Sequence, residues 1–91
     1  MKKIRIKELR NIISTFNDKE VIIHTSEIIT MTLHIQKLKI FFLNDELVIE
    51  ENNIEKLRIA INWVANFYTN DDKTVVKLEF DETGEVIIQI I

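Results

Sequence analysis

The hydrophobic positions of this chain change period several times, and each change marks an element. Ile6, Leu9, Ile13 and Phe16 recur at helical spacing, with Ile12 widening the stripe, which predicts an amphipathic helix over 6–16. Ile4 and Ile6 alternate with Lys3, Arg5 and Lys7, so the residues before it read either as a short strand or as the helix start. Asn17-Asp18 closes the segment. Residues 20–25 and 28–35 then alternate; in the second stretch Ile29, Met31, Leu33 and Ile35 point one way and Thr30, Thr32 and His34 the other. Ser26-Glu27 reads as a two-residue turn between them. The apolar phase slips at Gln36-Lys37, because Leu38, Ile40 and Phe42 occupy even positions; a tight turn or a bulge would produce that slip. Asn44-Asp45 suits a hairpin turn before a fourth strand over 46–51.

A second helix is predicted after Asn52. Asn52 with Glu55 three residues later has the form of a capping box. Ile54, Leu57, Ile61, Val64 and Tyr68 make one stripe, with Ala60, Trp63 and Phe67 beside it, until Thr69-Asn70-Asp71-Asp72 breaks it. Residues 74–80 and 85–91 read as a final hairpin, with Gly84 supplying a left-handed residue after the turn at Asp81-Glu82-Thr83. The expected fold is a single α+β domain over 1–91, an antiparallel sheet in the order α-β-β-β-β-α-β-β with helices packed on a sheet face.

Composition sharpens this picture in one respect. With 46% hydrophobic residues, a 91-residue chain can bury a real core without a staple, and it has no cysteine to make one. No secretory signal or bilayer-length apolar run appears, so the expectation is a cytoplasmic protein.

Chemistry is sparse. On the register expected for a two-residue turn, His24 and His34 project to the polar side too far apart to share a metal, and no metal or cofactor is expected. Ser14 and Ser26 sit in no nucleophile motif, and a single glycine rules out phosphate-cradling loops of the Walker or dinucleotide type. The carboxylates fall at turns and element ends rather than in pairs whose pKa values could be driven apart. An enzyme is therefore not expected. Lys2, Lys3, Arg5, Lys7 and Arg10 form a basic head, which reads as a solvated helix start because no aromatics interleave it. Trp63, Phe67 and Tyr68 are expected in the core, with Trp63 or Tyr68 as the alternative anchor for a partner. The last strand is apolar on both faces: Val86, Ile88 and Ile90 on one, Ile87 and Ile91 on the other. It is either central in its sheet or buried against a second copy, which makes Val86, Ile88 and Ile90 candidates for a homodimer contact.

Charge is sorted along the chain. Residues 1–43 carry a net +4 and residues 44–91 a net −7. The expected element order condenses the acid into two poles. Glu50, Glu51, Glu55, Asp81, Glu82 and Glu85 form one; Glu27, Asp45, Glu46, Asp71 and Asp72 form the other. The layout of 9–16, then 21–35, then Leu47-Val48-Ile49-Glu50-Glu51 leading into 54–67, resembles the small phage-encoded anti-CRISPR proteins that inhibit Cas9 by occupying its DNA-binding surface. That resemblance implies a non-catalytic binding protein of phage or mobile-element type, acting on a host nucleic-acid-handling protein through an acidic surface. Glu50, Glu51, Glu55, Asp81, Glu82 and Glu85 are the expected contacts, with no direct nucleic acid and no membrane as partner. The alternative is a self-associating structural or regulatory module built on the apolar last strand.

Overall fold

The structure, a computed structural model, describes residues 1–26, 30–81 and 84–91. Its elements run β1 (Lys2–Ile4), α1 (Ile6–Ser14), β2 (Val21–Ser26), β3 (Thr30–Ile35), β4 (Lys39–Leu43), β5 (Glu46–Glu51), β6 (Ile54–Ala60), a single 3-10 turn (Ile61–Trp63), β7 (Val64–Thr69), β8 (Val75–Phe80) and β9 (Gly84–Ile90). Strands dominate, every pairing is antiparallel, and α1 is the one α-helix among the described residues. The coarse α+β reading holds, but the expected order and the second helix do not.

α1 forms as its spacing requires, with Leu9, Ile12 and Ile13 buried and Lys7, Arg10 and Asn11 exposed. Glu8 stands in its first turn, where a carboxylate suits the positive end of the helix. At the other end Ser14 and Thr15 turn their hydroxyls back onto the Asn11 and Ile12 carbonyls, and Asp18 takes a left-handed φ of 67°. Local side-chain bonds of this kind compete with further helix.

Six strands form one sheet in the order β1-β7-β8-β9-β2-β3, and three form a second in the order β4-β5-β6. The phase slip at Gln36-Lys37 is the point where the chain leaves the first sheet for the second. Leu38 exchanges backbone hydrogen bonds with the 18–19 segment: its amide donates to Lys19 O at 3.0 Å and its carbonyl accepts from Asp18 N at 2.8 Å. The core is shared by the inner faces of both sheets and α1: Leu9, Ile13 and Phe16 from the helical segment, Val21, Ile23, Leu78 and Ile88 from the large sheet, Ile40, Leu47 and Ile49 from the small one.

The predicted second helix is two strands, β6 and β7. Asn52 and Asn53 have φ of 53° and 63°, and Glu51 pairs directly with Ile54. That is a two-residue hairpin turn with both central residues left-handed, the geometry whose twist matches the flanking strands and which asparagine tolerates well. The same Asn52 that could have capped a helix therefore reverses the chain. Leu57 and Ile59 then alternate toward the core while Arg58 points out. Ile59, Ile61, Val64, Phe67 and Tyr68 are also β-branched or aromatic, types that favour a pleated surface.

The register between β2 and β3 differs from expectation as well. Val21 pairs with Ile35 and Ser26 with Thr30, so His24 faces Thr32 and His34 faces Ile22. The expected turn at Ser26-Glu27 includes a position outside the described residues, as do Ile28 and Ile29 of the expected strand. In the last hairpin Phe80 pairs with Gly84, whose φ of 123° favours glycine; Glu82 and Thr83 lie outside the described residues.

Candidate functional site

The extra chain reversal redistributes the acidic residues. A helix over 52–68 would have carried the chain along the molecule once, whereas β6 and β7 carry it along and back. The register defines two ends of the large sheet. At one, Ile35 pairs with Val21 and Val21 with Ile90; at the other, Thr30 pairs with Ser26 and Ser26 with Glu85. Glu51 belongs to the Ile35 end, since its Oε2 accepts the Gln36 amide at 2.8 Å. Glu50 and Glu55, paired across β5 and β6, lie beside it. Asp71 and Asp72 turn the chain between Thr69 and Val75, also at the Ile35 end. Asp81 and Glu85 belong to the Ser26 end, as does Asp45, whose carbonyl accepts the Ile61 amide at 2.8 Å just before β7 begins. The six expected contact residues are therefore not one cluster: Glu50, Glu51 and Glu55 stand apart from Asp81 and Glu85, and Glu82 is outside the described residues.

Three carboxylates at the Ile35 end, Glu50, Glu51 and Glu55, are occupied within the chain, whereas Asp71 and Asp72 are in no ion pair among the described residues. Glu50 lies 4.0 Å from Lys39 Nζ, Glu51 holds the Gln36 amide, and Glu55 accepts Arg58 Nη2 at 2.6 Å. Arg58 also reaches Glu46 at 3.2 Å, so it spans β5 and β6 on the outer face of the small sheet. The Arg58 hydrogen bond holds the Glu55 carboxyl below the usual carboxylate range; slight desolvation opposes the shift and Coulomb attraction to Arg58 adds to it. Because the folded pKa is lowered, whatever stability the pair contributes is present above the ordinary carboxylate pKa. It is lost as pH falls through the folded value. The substitution Arg58→Ala is expected to return the Glu55 titration, followed by carboxyl NMR, upward to the ordinary range; an unchanged titration would contradict the pairing.

At the Ser26 end Glu46 is held by Arg58. Among the described residues, Asp45, Asp81 and Glu85 are in no ion pair. Trp63 ends the 3-10 turn between β6 and β7 and is 75% exposed, against the expectation that it packs in the core. Leu43, immediately before the Asn44-Asp45 turn at this end, is 47% exposed. The other two aromatics separate: Phe67 packs against the core, while Tyr68 faces outward beneath Lys77, whose Nζ stands 4.7 Å from its ring centroid.

Val86 and Ile88 are buried in the core and Ile90 packs against it, with β9 paired on both edges by β8 and β2. That strand is central, so its backbone and its core face are closed to a second copy. His24 and His34 share the outer face as diagonal neighbours on adjacent strands, closer than expected. Each has its own partner: His24 Nδ1 lies 3.1 Å from Thr32 Oγ1, and His34 Nε2 lies 2.5 Å from Glu20 Oε2. No group of three or more metal-ligating side chains occurs among the described residues. Arg10 of the basic head stacks over Phe42, 4.1 Å from the ring centroid. An open hollow of about 540 Å³ at the Ile35 end is lined by Asn17, Lys37, Lys39, Phe41, Asn52 and Asn53 among others, with no serine or histidine in its wall. Among the described residues no helix is long and apolar enough to cross a membrane.

The class defined by these observations is a two-sheet, mainly antiparallel α+β domain with an exposed tryptophan at one acidic end. Compared with known proteins, the chain matches no family model, no curated protein and no solved structure. Of the layout that resembles the anti-CRISPR proteins, the segment after Glu50-Glu51 is β6, the 3-10 turn and β7 rather than the expected helix.

Proposed function

We propose that this is a non-catalytic binding protein whose partner docks on the Ser26 end, around Trp63. The observation that carries the reading is the indole itself, 75% exposed on a short turn pinned by the Ile61-to-Asp45 backbone bond. Tryptophan offers a large, rigid contact area and is enriched among the residues that dominate binding energy. Leu43 adds apolar area, and Asp45, Asp81 and Glu85 surround the end with carboxylates free of internal ion pairs among the described residues. The complement is a protein with an apolar recess inside a basic surface, as nucleic-acid-handling proteins present. This keeps the expectation of an acidic inhibitor and moves its contact surface from Glu50, Glu51 and Glu55 to the opposite end.

The test is affinity capture from host lysate with four baits: wild type, Trp63→Ala, the pair Asp45→Lys and Asp81→Lys, and the pair Glu50→Gln and Glu51→Gln. Trp63→Ala is expected to weaken capture of the specific partner about tenfold or more, as truncation of a dominant anchor does. The lysine pair should also lose it, the glutamine pair should retain it, and added duplex DNA should compete. Capture insensitive to Trp63→Ala would reject the reading.

A further inference from the structure

An exposed strand edge is a row of unpaired backbone donors and acceptors, and folded proteins blunt such edges with charge, shortness, bulges or covering groups. Three of the four sheet edges here are blunted. β1 is three residues long and carries Lys2 and Lys3. β6 carries Glu55, Lys56 and Arg58 and faces a register shift at Ile49/Glu50. β4 is covered by the Asn17 amide, whose Oδ1 accepts the Ile40 N–H at 2.8 Å and whose Nδ2 donates to the Ile40 carbonyl at 3.2 Å. Among the described residues, the fourth edge, β3, has none of these devices. Its six residues, Thr30 to Ile35, include no lysine, arginine, acid or proline, and among the described residues β2 is its one paired strand.

A second feature marks the same edge. Ile4, Phe67, Leu78, Val86 and Thr25 form one cross-strand row on the core side of the sheet, which ends at Met31. Ile4, Leu78, Val86 and Thr25 are buried, yet Met31 is 40% exposed, since the sheet stops beside it.

From these two observations we infer that β3 pairs antiparallel with β3 of a second copy, across a two-fold axis, joining the two large sheets into one. The same strand is its best complement. An antiparallel two-fold pairing is isologous by construction, and keeping both cores on one side of the joined sheet requires residues of like face to lie opposite. Centred on Thr32, that register sets Thr32 opposite Thr32, Thr30 opposite His34, and Met31 opposite Leu33 of the second copy. Met31 is thereby covered, no like charges meet, and an edge without charge offers a charged peptide nothing to read. The contact is one strand wide, so dimerisation depends on concentration. It uses neither Trp63 nor the acidic end, so its failure leaves the docking proposal standing and the reverse also holds.

The experiment is sedimentation equilibrium of the full chain from dilute to NMR concentrations, with amide exchange along β3 measured in parallel. The wild type is expected to move toward twice the monomer mass, with the edge-facing β3 amides gaining protection as concentration rises. Thr32→Lys, which opposes like charges across the axis, and Met31→Lys should each stay monomeric with native circular dichroism. Lys56→Thr, on the β6 edge, should dimerise as the wild type does. A wild type that stays monomeric throughout overturns the inference, as does a dimer surviving in folded Thr32→Lys and Met31→Lys, or a monomer that takes an extended peptide on β3 instead. Should either lysine variant fail to fold, the concentration dependence of wild-type amide protection decides alone.

Discussion

Truncating Phe16 to alanine is expected to remove about 3–5 kcal/mol of stability, the range for large aromatic side chains deleted from packed cores. Phe16 is fully buried just beyond α1, in the core that the helix shares with both sheets. A domain of this size commonly has roughly 5–13 kcal/mol in total, so the loss is a large share. Urea denaturation checks it, read as a fall in the midpoint with an unchanged slope. A surface aromatic gives the contrast: Trp63→Ala is expected to stay within about 0.5 kcal/mol of wild type, as exposed substitutions do. Equal losses at the two positions would mean that the core is misplaced.

Replacing both asparagines of the β5–β6 turn by valine, Asn52→Val with Asn53→Val, is expected to cost about 2–4 kcal/mol. Each position has positive φ, which asparagine tolerates because its short polar side chain bonds the local backbone, whereas β-branched valine has no such relief and costs roughly 1–2 kcal/mol per residue. Asn53→Gly at the same turn should be neutral or stabilising, because Asn-Gly suits this turn type best. A helix starting at Asn52 would respond differently. Losing its cap would cost about 1 kcal/mol, and glycine inside its first turn would destabilise rather than help. The sign of the Asn53→Gly effect therefore separates the two structures by chemical denaturation alone.

That turn is also where the reading from sequence and the fold part company. α1 was legible because Leu9, Ile12, Ile13 and Phe16 all face one core, so helical spacing and burial agree. β3 and β5 also fall on strands expected from the sequence, although Met31 of β3 is exposed and Leu47, Val48 and Ile49 of β5 are buried in succession; the Asn44-Asp45 turn fell where the backbone preference of Asn44 put it. Between Ile54 and Tyr68 two periods coexist. Ile54, Leu57, Ile61, Val64 and Tyr68 fit a helix, while Leu57, Ile59 and Ile61 fit a strand, and Asn52 with Glu55 serves as a helix cap or as a turn. Ile54 in fact stands 59% exposed, so the helical stripe counted an apolar residue that packs nowhere. A break at Asn62-Trp63 would have decided the matter, but neither residue is a strong breaker.

The error propagated to the candidate site. Charge asymmetry along the chain was visible at once, but its placement in space depends on how many times the chain reverses. One unrecognised reversal exchanged the ends at which Asp71-Asp72 and Asp81 sit. Of the carboxylates preferred from sequence, Glu50 and Glu51 lie where strand pairing brings Lys39 and the Gln36 amide against them, while Glu55 is held by Arg58 three residues further along β6. Lys39 and Gln36 are distant in sequence, and periodicity carries no record of them. Helical spacing sets Trp63 beside an apolar stripe, which favours the core over the partner anchor that the same residue could be. Its position after Asn62, at the join of two alternating runs, was the signal available.

The docking surface exists only if the chain folds back at Trp63 and leaves that indole in solvent. Trp63 is the one tryptophan in the protein, so its fluorescence reports this position alone. The expected result is a red-shifted emission, as in free indole, quenched by acrylamide nearly as readily as free tryptophan and little changed on unfolding in urea. A blue-shifted emission protected from acrylamide in the monomer, shifting red only on unfolding, would put Trp63 inside the core and contradict both the β6–β7 reversal and the docking surface built on it.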